Sequence, residues 1–358
     1  MKATAKLYEL GQSLWLDNIT REMLDSGQLH RYIEEFSVTG LTSNPSIFDK
    51  AIASGAYDED IRSKAGEAAD REMLFFELAI EDLRRAADLF APIHQRTAGV
   101  DGWVSLEVSP LLAYDTTLSV CAAVDLHQRA GRENLFIKIP GTEQGLSAIE
   151  EATFAGIPVN VTLLFSGEQY LASANAYLRG IERRIEAGVD PNVSSVASLF
   201  ISRWDAAVIS RVPEHLRGRL GLAIGLKTYE AYRRLMDSDR WQRLANAGAR
   251  VQRLLWASTS TKDPDSPDTM YIDGLRAPHT INTMPETTLR AFEHHGQVGA
   301  PIAADGGDAE ATLAQFESVG IDVDALAATL QSDGARNFVQ AWEDLLSRID
   351  DQVAAVTA

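Results

Sequence analysis

The sequence predicts a closed (β/α)8 barrel with extra helices at its C-terminal end. Three observations carry that expectation. Short apolar, β-branched runs recur along the chain, and eight can be counted. Longer stretches with helical patterning separate them, an alternation that builds a parallel sheet with helical crossovers. Eight such units in 358 residues suit a closed barrel better than an open doubly wound sheet.

The strands are expected near Ser13–Asp17, Ser37–Thr42, Trp103–Val108, Leu135–Pro140, Ile157–Thr162, Val193–Leu199, Arg253–Ala257 and His279–Thr283. Helices are expected between them, among them Glu67 to Leu89, Thr116 to Ala130, Gly167 to Ala187 and Trp204 to Leu235. The segment from about 285 to 358 reads as a helical tail packed on the barrel. Pro264–Pro267 and Gly299–Asp308 read as surface loops, and no repeat, low-complexity tract or Pro/Gly-rich linker divides the chain. Residues 1–358 are therefore expected to form one barrel domain.

Composition narrows the function classes. Hydrophobic residues make up 45% of the chain, enough for a sizeable core, and the net charge is −18. That charge argues against nucleic acid and anionic membrane surfaces as partners, since both need a basic footprint. It leaves open a small anionic substrate, because a few cations in a pocket outweigh a distant surface field. Cys121 is the single cysteine, so no internal disulfide can form. The first residues are not followed by an apolar h-region and no run is long enough to span a bilayer, so a cytoplasmic location is expected. The sequence fits either a monomer or a homodimer.

The most informative residue is Lys138, in the middle of Leu135-Phe136-Ile137-Lys138-Ile139-Pro140. A strand with large apolar residues on both sides predicts burial on both faces. Burial disfavours an ammonium, and a neutral amine is a nucleophile toward a ketone or aldehyde, giving a Schiff base. The competing reading is a lysine that snorkels to the strand end and is merely solvated.

Barrel active sites sit at the C-terminal ends of the strands, and polar residues gather there. Asp17 ends the first strand, Asn44 follows the second, Glu107 ends the third, Ser198 closes the sixth and Ser258 follows the seventh. Asn160 and Thr162, two apart on the fifth, share a face. Each has a plainer reading. Asp17 could cap a helix, Asn44 could be part of a turn-and-cap signal, Glu107 could be a surface residue, and Thr162 could be a sheet residue chosen for its branching. Together with a strand lysine they describe a chemistry. An imine on Lys138 is an electron sink for cleaving the neighbouring carbon–carbon bond, and Asp17 can take the proton of the β-hydroxyl as that bond breaks. Glu107 is the candidate second acid/base, with Thr162 holding a water, and Asn44 and Asn160 can bind substrate hydroxyls.

Such chemistry needs no metal or cofactor, and none is expected. None of the seven histidines forms an HxxxH pair. No Walker A loop, no G-x-G-x-x-G after a strand and no G-x-S-x-G elbow occurs.

Three motifs, in order, resemble the transaldolase family. Thr39-Gly40-Leu41-Thr42-Ser43-Asn44-Pro45-Ser46-Ile47-Phe48 resembles its first signature. Leu135 to Leu146, LFIKIPGTEQGL, resembles the second, which carries the Schiff-base lysine. Asn160-Val161-Thr162-Leu163-Leu164-Phe165-Ser166 looks like the fifth-strand motif. Trp256 to Lys262 and Asn282 to Pro285 look closest to a longer bacterial branch, some of whose members are fused to a phosphoglucose isomerase domain. The resemblance implies a class I aldolase barrel that moves a dihydroxyacetone unit from sedoheptulose 7-phosphate or fructose 6-phosphate to an aldose phosphate, glyceraldehyde 3-phosphate or erythrose 4-phosphate, in the non-oxidative pentose phosphate pathway.

The resemblance also assigns roles. Lys138 is the Schiff-base lysine, Asp17 the acid/base on the cleaved hydroxyl, and Glu107 with Thr162 the water-mediated shuttle. Asn44, Asn160 and Ser198 bind donor hydroxyls, and Arg203 matches a phosphate-binding arginine. Better-known members carry a second such arginine after the seventh strand. Here the stretch reads Ser258-Thr259-Ser260-Thr261-Lys262, so Lys262 is the cation available, with Ser258 or Ser260 as a hydroxyl. Lysine binds phosphate as a point charge, without the fork of arginine. Relatives that release free dihydroxyacetone tend to have tyrosine near the position of Phe200 and glutamine in place of Glu107; phenylalanine and glutamate here favour transfer. A non-catalytic sugar-phosphate-binding protein is the third reading, and it would need one of Asp17, Glu107 and Lys138 to be lost.

Overall fold

The protein was analysed as a computed structural model that describes residues 2–357 apart from positions 67 and 69. Eight parallel strands form one sheet: β1 Ser13–Asp17, β2 Val38–Thr42, β3 Val104–Glu107, β4 Leu135–Pro140, β5 Val159–Leu164, β6 Ser195–Phe200, β7 Gln252–Ala257 and β8 Ile281–Met284. Their order is β2-β1-β8-β7-β6-β5-β4-β3. The first and last join where Leu41 N donates to Trp103 O at 2.9 Å and Gly102 N to Thr39 O at 2.8 Å. The result is a (β/α)8 barrel. All eight expected strands are present, with ends displaced by at most two residues.

The strands form because both faces are covered. All six residues of β4, β5 and β7 are buried, which matches their nearly unbroken apolar runs. Outward side chains meet the helices in one large core. Inward ones build a second, smaller core of Trp15, Trp103, Phe136, Val196, Leu255, Ala257 and Ile281 inside the barrel. Trp103 stacks on Phe136 with centroids 4.0 Å apart. Gly40 faces this plug, where a Cβ would lie 2.7 Å from both the Trp15 ring and Trp103 O, so no larger residue fits between the two tryptophans.

The helix expected from Glu67 runs Arg71–Arg96, and position 67, like chain positions 1 and 358, lies outside the described residues. Thr116–Ala130 is a helix over the expected range, and Gly167–Glu186 ends one residue short. The expected helix from Trp204 to Leu235 is broken. Ser202–Val208 and Leu220–Met236 are separate helices. Pro213 supplies no N–H between them, and Gly218 sits at φ +71°, so apolar periodicity continues while the backbone does not. Beyond β8 come helices Glu286–His295, Ala309–Ser318 and the long Val323–Thr357. Pro264–Pro267 and 299–308 are loops. No helix among the described residues is long and apolar enough to cross a membrane.

Candidate active site

Period-two alternation sends Asp17, Thr42, Glu107, Lys138, Thr162, Ser198 and Thr283 inward, above the aromatic plug and toward the C-terminal ends of the strands. A cavity of about 210 Å³ opens there. Asp17, Asn44, Lys138, Thr162, Ser198, Phe200, Arg203, Ser258 and Lys262 all line it. Larger cavities exist, one of about 650 Å³ at the opposite end of the barrel, so chemistry and not volume marks the site.

Lys138 is 6% exposed, which removes the solvated-lysine reading. Its Nζ donates to Ser43 O at 3.1 Å and lies 3.2 Å from Glu107 Oε2. Register explains the pairing: Glu107 stands opposite Lys138 across β3 and β4. Glu107 is equally buried, so it is not a surface strand end. Burial pushes its carboxyl above the ordinary range, against the pull of Lys138, and nearby Asp17 raises it further. A buried ion pair is costly unless every group is satisfied. Here the ion-pair contact is not aligned as a hydrogen bond, and Glu107 Oε2 has no hydrogen-bond partner among the described residues.

Asp17 is held by Thr42, whose Oγ1 donates to Oδ1 at 2.8 Å and in turn meets Thr283 Oγ1 at 2.8 Å. Burial raises the Asp17 carboxyl, while Lys138, Thr42 and Lys262 pull it down. It caps no helix; Thr20 caps the helix Arg21–Asp25. Thr162 Oγ1 is buried and, like Glu107 Oε2, has no hydrogen-bond partner in the protein. It precedes a bulge. The β5–β6 register shifts between Val161 and Leu164, and Leu163 sits at φ +60°, a left-handed conformation costing roughly 1–2 kcal/mol in a residue with a Cβ. Bulges beside active sites re-aim side chains.

Asn44 combines two readings. Its Oδ1 caps the helix Pro45–Ile52 through Ile47 N at 3.2 Å, and its Nδ2 donates to no protein group while the residue lines the cavity. Asn160, expected to bind a substrate hydroxyl, has both amide heteroatoms hydrogen-bonded within the protein. It is fully buried and does not line the cavity. Its Nδ2 donates to Ser105 Oγ at 3.1 Å, and its Oδ1 accepts from Ser198 Oγ at 2.7 Å. It stands opposite Lys138 across β4 and β5 and orients Ser198.

The far wall is cationic. Among the described residues Arg203 makes no ion pair or hydrogen bond, and Lys262 donates only to Ser260 Oγ at 2.8 Å. Burial lowers the Lys262 ammonium, and the Arg203 charge lowers it further. Two cations without a carboxylate partner among the described residues, in a chain of net charge −18, give the cavity a wall that can hold an anion. Ser258, at φ +55°, is joined to Ser202 by hydroxyls 2.8 Å apart. Arg203 is half-buried and lines the cavity.

Sequence reasoning missed Thr42, the carbonyl of Ser43, Thr283 and Phe338. The first three follow from period-two alternation and strand adjacency. Phe338 has no local signal, since it comes from the C-terminal helix. Among the described residues no group of three or more His, Cys, Asp or Glu could hold a metal ion.

The family model described as Transaldolase/Fructose-6-phosphate aldolase matches residues 14–349. A protein named Transaldolase from Thermobifida fusca is 45% identical, over 98% of each chain. One of the same name from Arthrobacter sp. is 43% identical, again over 98% of each chain. A Transaldolase 2 from Nostoc sp. is 38% identical over 97% of each.

Proposed function

The chain belongs to the transaldolase/fructose-6-phosphate aldolase family, and from that premise we propose that it is a transaldolase. It transfers a dihydroxyacetone unit from sedoheptulose 7-phosphate or fructose 6-phosphate to glyceraldehyde 3-phosphate or erythrose 4-phosphate. The observation that carries this reading is a buried lysine beside a carboxylate, facing the same cavity as Asp17 and two cations without carboxylate partners.

The geometry supports a role for each residue. The Lys138 proton passes to Glu107, and the free amine attacks the donor ketone. Glu107 returns the proton to the leaving hydroxyl of the carbinolamine, with Thr162 Oγ1 and Glu107 Oε2 as the buried partners for the water released and later readmitted. Asp17 takes the proton from the β-hydroxyl, the carbon–carbon bond breaks, and its electrons move into the iminium as the aldose phosphate departs. The three-carbon enamine remains on Lys138. An acceptor aldehyde enters, the enamine carbon bonds to its carbonyl carbon, and Asp17 returns the proton to the new alkoxide. Hydrolysis then frees the product ketose. Ser198 and Asn44 bind donor hydroxyls, and Arg203 and Lys262 hold the phosphate of donor and acceptor in turn. The enzyme works in the cytoplasm as one barrel unit with its C-terminal helices.

The test is borohydride reduction with fructose 6-phosphate and no acceptor, followed by mass mapping. A three-carbon adduct on Lys138 with little free dihydroxyacetone supports transfer. The same adduct with dihydroxyacetone accumulating over many turnovers would instead make the protein an aldolase. An unmodified Lys138 with either donor would refute the Schiff-base mechanism.

A further inference from the structure

A three-carbon enamine waiting on Lys138 has two fates. It can form a bond to an acceptor aldehyde. Alternatively, its nucleophilic carbon takes a proton, water adds to the imine carbon, and the collapsing carbinolamine returns dihydroxyacetone and the free amine. The second path consumes one water and wastes the donor. It proceeds whenever bulk water reaches the carbon from the cavity mouth, so whatever covers that mouth sets the ratio of transfer to loss.

The cover comes from the C-terminal helix Val323–Thr357. Gln331, Gly334 and Phe338 are spaced three and four apart, so they share one helix face. Gln331 Nε2 donates to Gly141 O at 3.0 Å and to Leu163 O at 2.9 Å, binding the chain just past β4 to the bulge of β5. Gly334 lets the helix lie close, since a Cβ there would come 3.0 Å from Leu163 Cδ2 and 3.6 Å from the Phe165 ring. Phe338 then reaches over the cavity. Its ring centroid is 6.0 Å from Lys138 Nζ and 6.5 Å from the Phe200 ring, which it meets edge-on. One turn farther on, Trp342 packs against Phe75 and Phe76, with ring centroids 5.0 and 5.6 Å away, and anchors the helix there.

We infer that Phe338 is a specificity-determining residue: with Phe200 it forms an apolar roof that keeps bulk water from the enamine, while the Gln331 contacts hold that roof in register with the Thr162 bulge. The water expelled on imine formation and used again in product release is held from below, by Glu107 and Thr162, and does not cross the roof. The inference rests on the transaldolase reading above and assigns the choice between transfer and release to the tail helix.

The experiment measures two rates on each protein: dihydroxyacetone release from fructose 6-phosphate alone, and transfer to erythrose 4-phosphate. Their ratio is independent of the folded fraction, because both rates scale with it. In Phe338→Ala the ratio of release to transfer should rise about tenfold, as expected when a water-excluding contact is opened. Phe338→Leu, which restores apolar cover, should return close to wild type. Gln331→Met, which keeps the chain length but loses both hydrogen bonds, should move the ratio the same way by less. Phe338→Tyr keeps the packing and should also raise release, by bringing a hydroxyl to the mouth, so the test survives if the alanine variant fails to fold. A wild-type ratio in the alanine and tyrosine variants, with Lys138 still trapped as the three-carbon adduct, would overturn the roof alone. Absence of the adduct in the wild-type protein would overturn the transaldolase reading and the roof with it.

Discussion

The two ends of the barrel bury charge in opposite ways. At the N-terminal end Arg253 and Asp101 are 7% and 3% exposed. Arg253 Nη2 donates to Ser13 Oγ at 2.7 Å and to Thr280 O at 2.9 Å; Ser13 donates to Asp101, which also accepts from Trp15 Nε1 at 2.8 Å. Every member has partners, although the cavity beside them is the larger one. At the C-terminal end, beyond the Trp103–Phe136 stack, Lys138 and Glu107 are as deeply buried, yet Glu107 Oε2 and Thr162 Oγ1 lack hydrogen-bond partners, and Arg203 and Lys262 lack carboxylates. Burying charge is tolerable when it is fully paired. The underpaired charges at the C-terminal end lie in or beside a cavity, where a partner that is not protein can reach them. Neither cavity size nor charge count separates the ends; the satisfaction of each charge does.

That contrast can be broken from either side. The largest effect should come from Lys138→Met, which removes the nucleophile. Turnover should fall by at least about 10⁴-fold with the far-UV circular dichroism unchanged, since the other lysine lining the cavity, Lys262, is assigned to the phosphate. Detectable transfer above about one-hundredth of wild type would sink the covalent route. Asp17→Asn keeps the acceptor for Thr42 but cannot take a proton, and kcat should fall by about 10²- to 10⁴-fold with KM nearly unchanged.

The opposite pattern is expected at the other end. Asp101→Asn removes the countercharge of Arg253 and should lower unfolding stability by about 3 kcal/mol, read from urea titration. The kcat per folded molecule should stay at the wild-type value. A loss of kcat without a loss of stability would mean that the N-terminal network also serves the chemistry. Arg203→Ala should raise KM for fructose 6-phosphate by roughly 10- to 100-fold, the loss of about 1.5–3 kcal/mol of charge-assisted hydrogen bonding, and should lower kcat much less. An equal loss with a substrate lacking phosphate would show that Arg203 acts on the sugar instead.

The sequence made the strands legible because each is a short, dense apolar run, and in a parallel barrel that density is required on both faces. Lys138, Asp17 and Thr162 were legible for the complementary reason: a polar residue in or just past such a run has few places to be except the barrel mouth. Depth along the strand was not legible. Asn160 and Thr162 share a face, yet Thr162 is in the cavity wall while Asn160, two residues earlier on the strand, is engaged by Ser105 and Ser198. The break between Val208 and Leu220 was hidden because the apolar pattern carries on past Pro213 and Gly218. Phe338 was out of reach, since it meets Lys138 from a helix 200 positions later in the chain.

The smallest effect is also the most direct check on burial as the cause. Burial raises the Asp17 carboxyl above its unfolded value, so the folded protein binds that proton more tightly than the unfolded chain does. Below the ordinary carboxylate value Asp17 is protonated in both states and adds nothing to pH dependence. As pH rises through the raised value, the folded state must ionise a buried group, and stability is lost. At pH 7 the ionised Asp17 is therefore a net cost to folding, and Asp17→Asn should raise Tm by about 1–3 °C. The gain should shrink as pH falls and vanish below the ordinary carboxylate range. In the wild type the same shift, shared by Glu107, places the acid limb of kcat above the pH at which a solvated carboxylate titrates. A Tm gain that persists undiminished at low pH would assign the stabilisation to packing. No gain at pH 7 would mean that Lys138 and Thr42 fully offset the burial, leaving Asp17 as well paired as Asp101 and erasing the difference between the two ends at that residue.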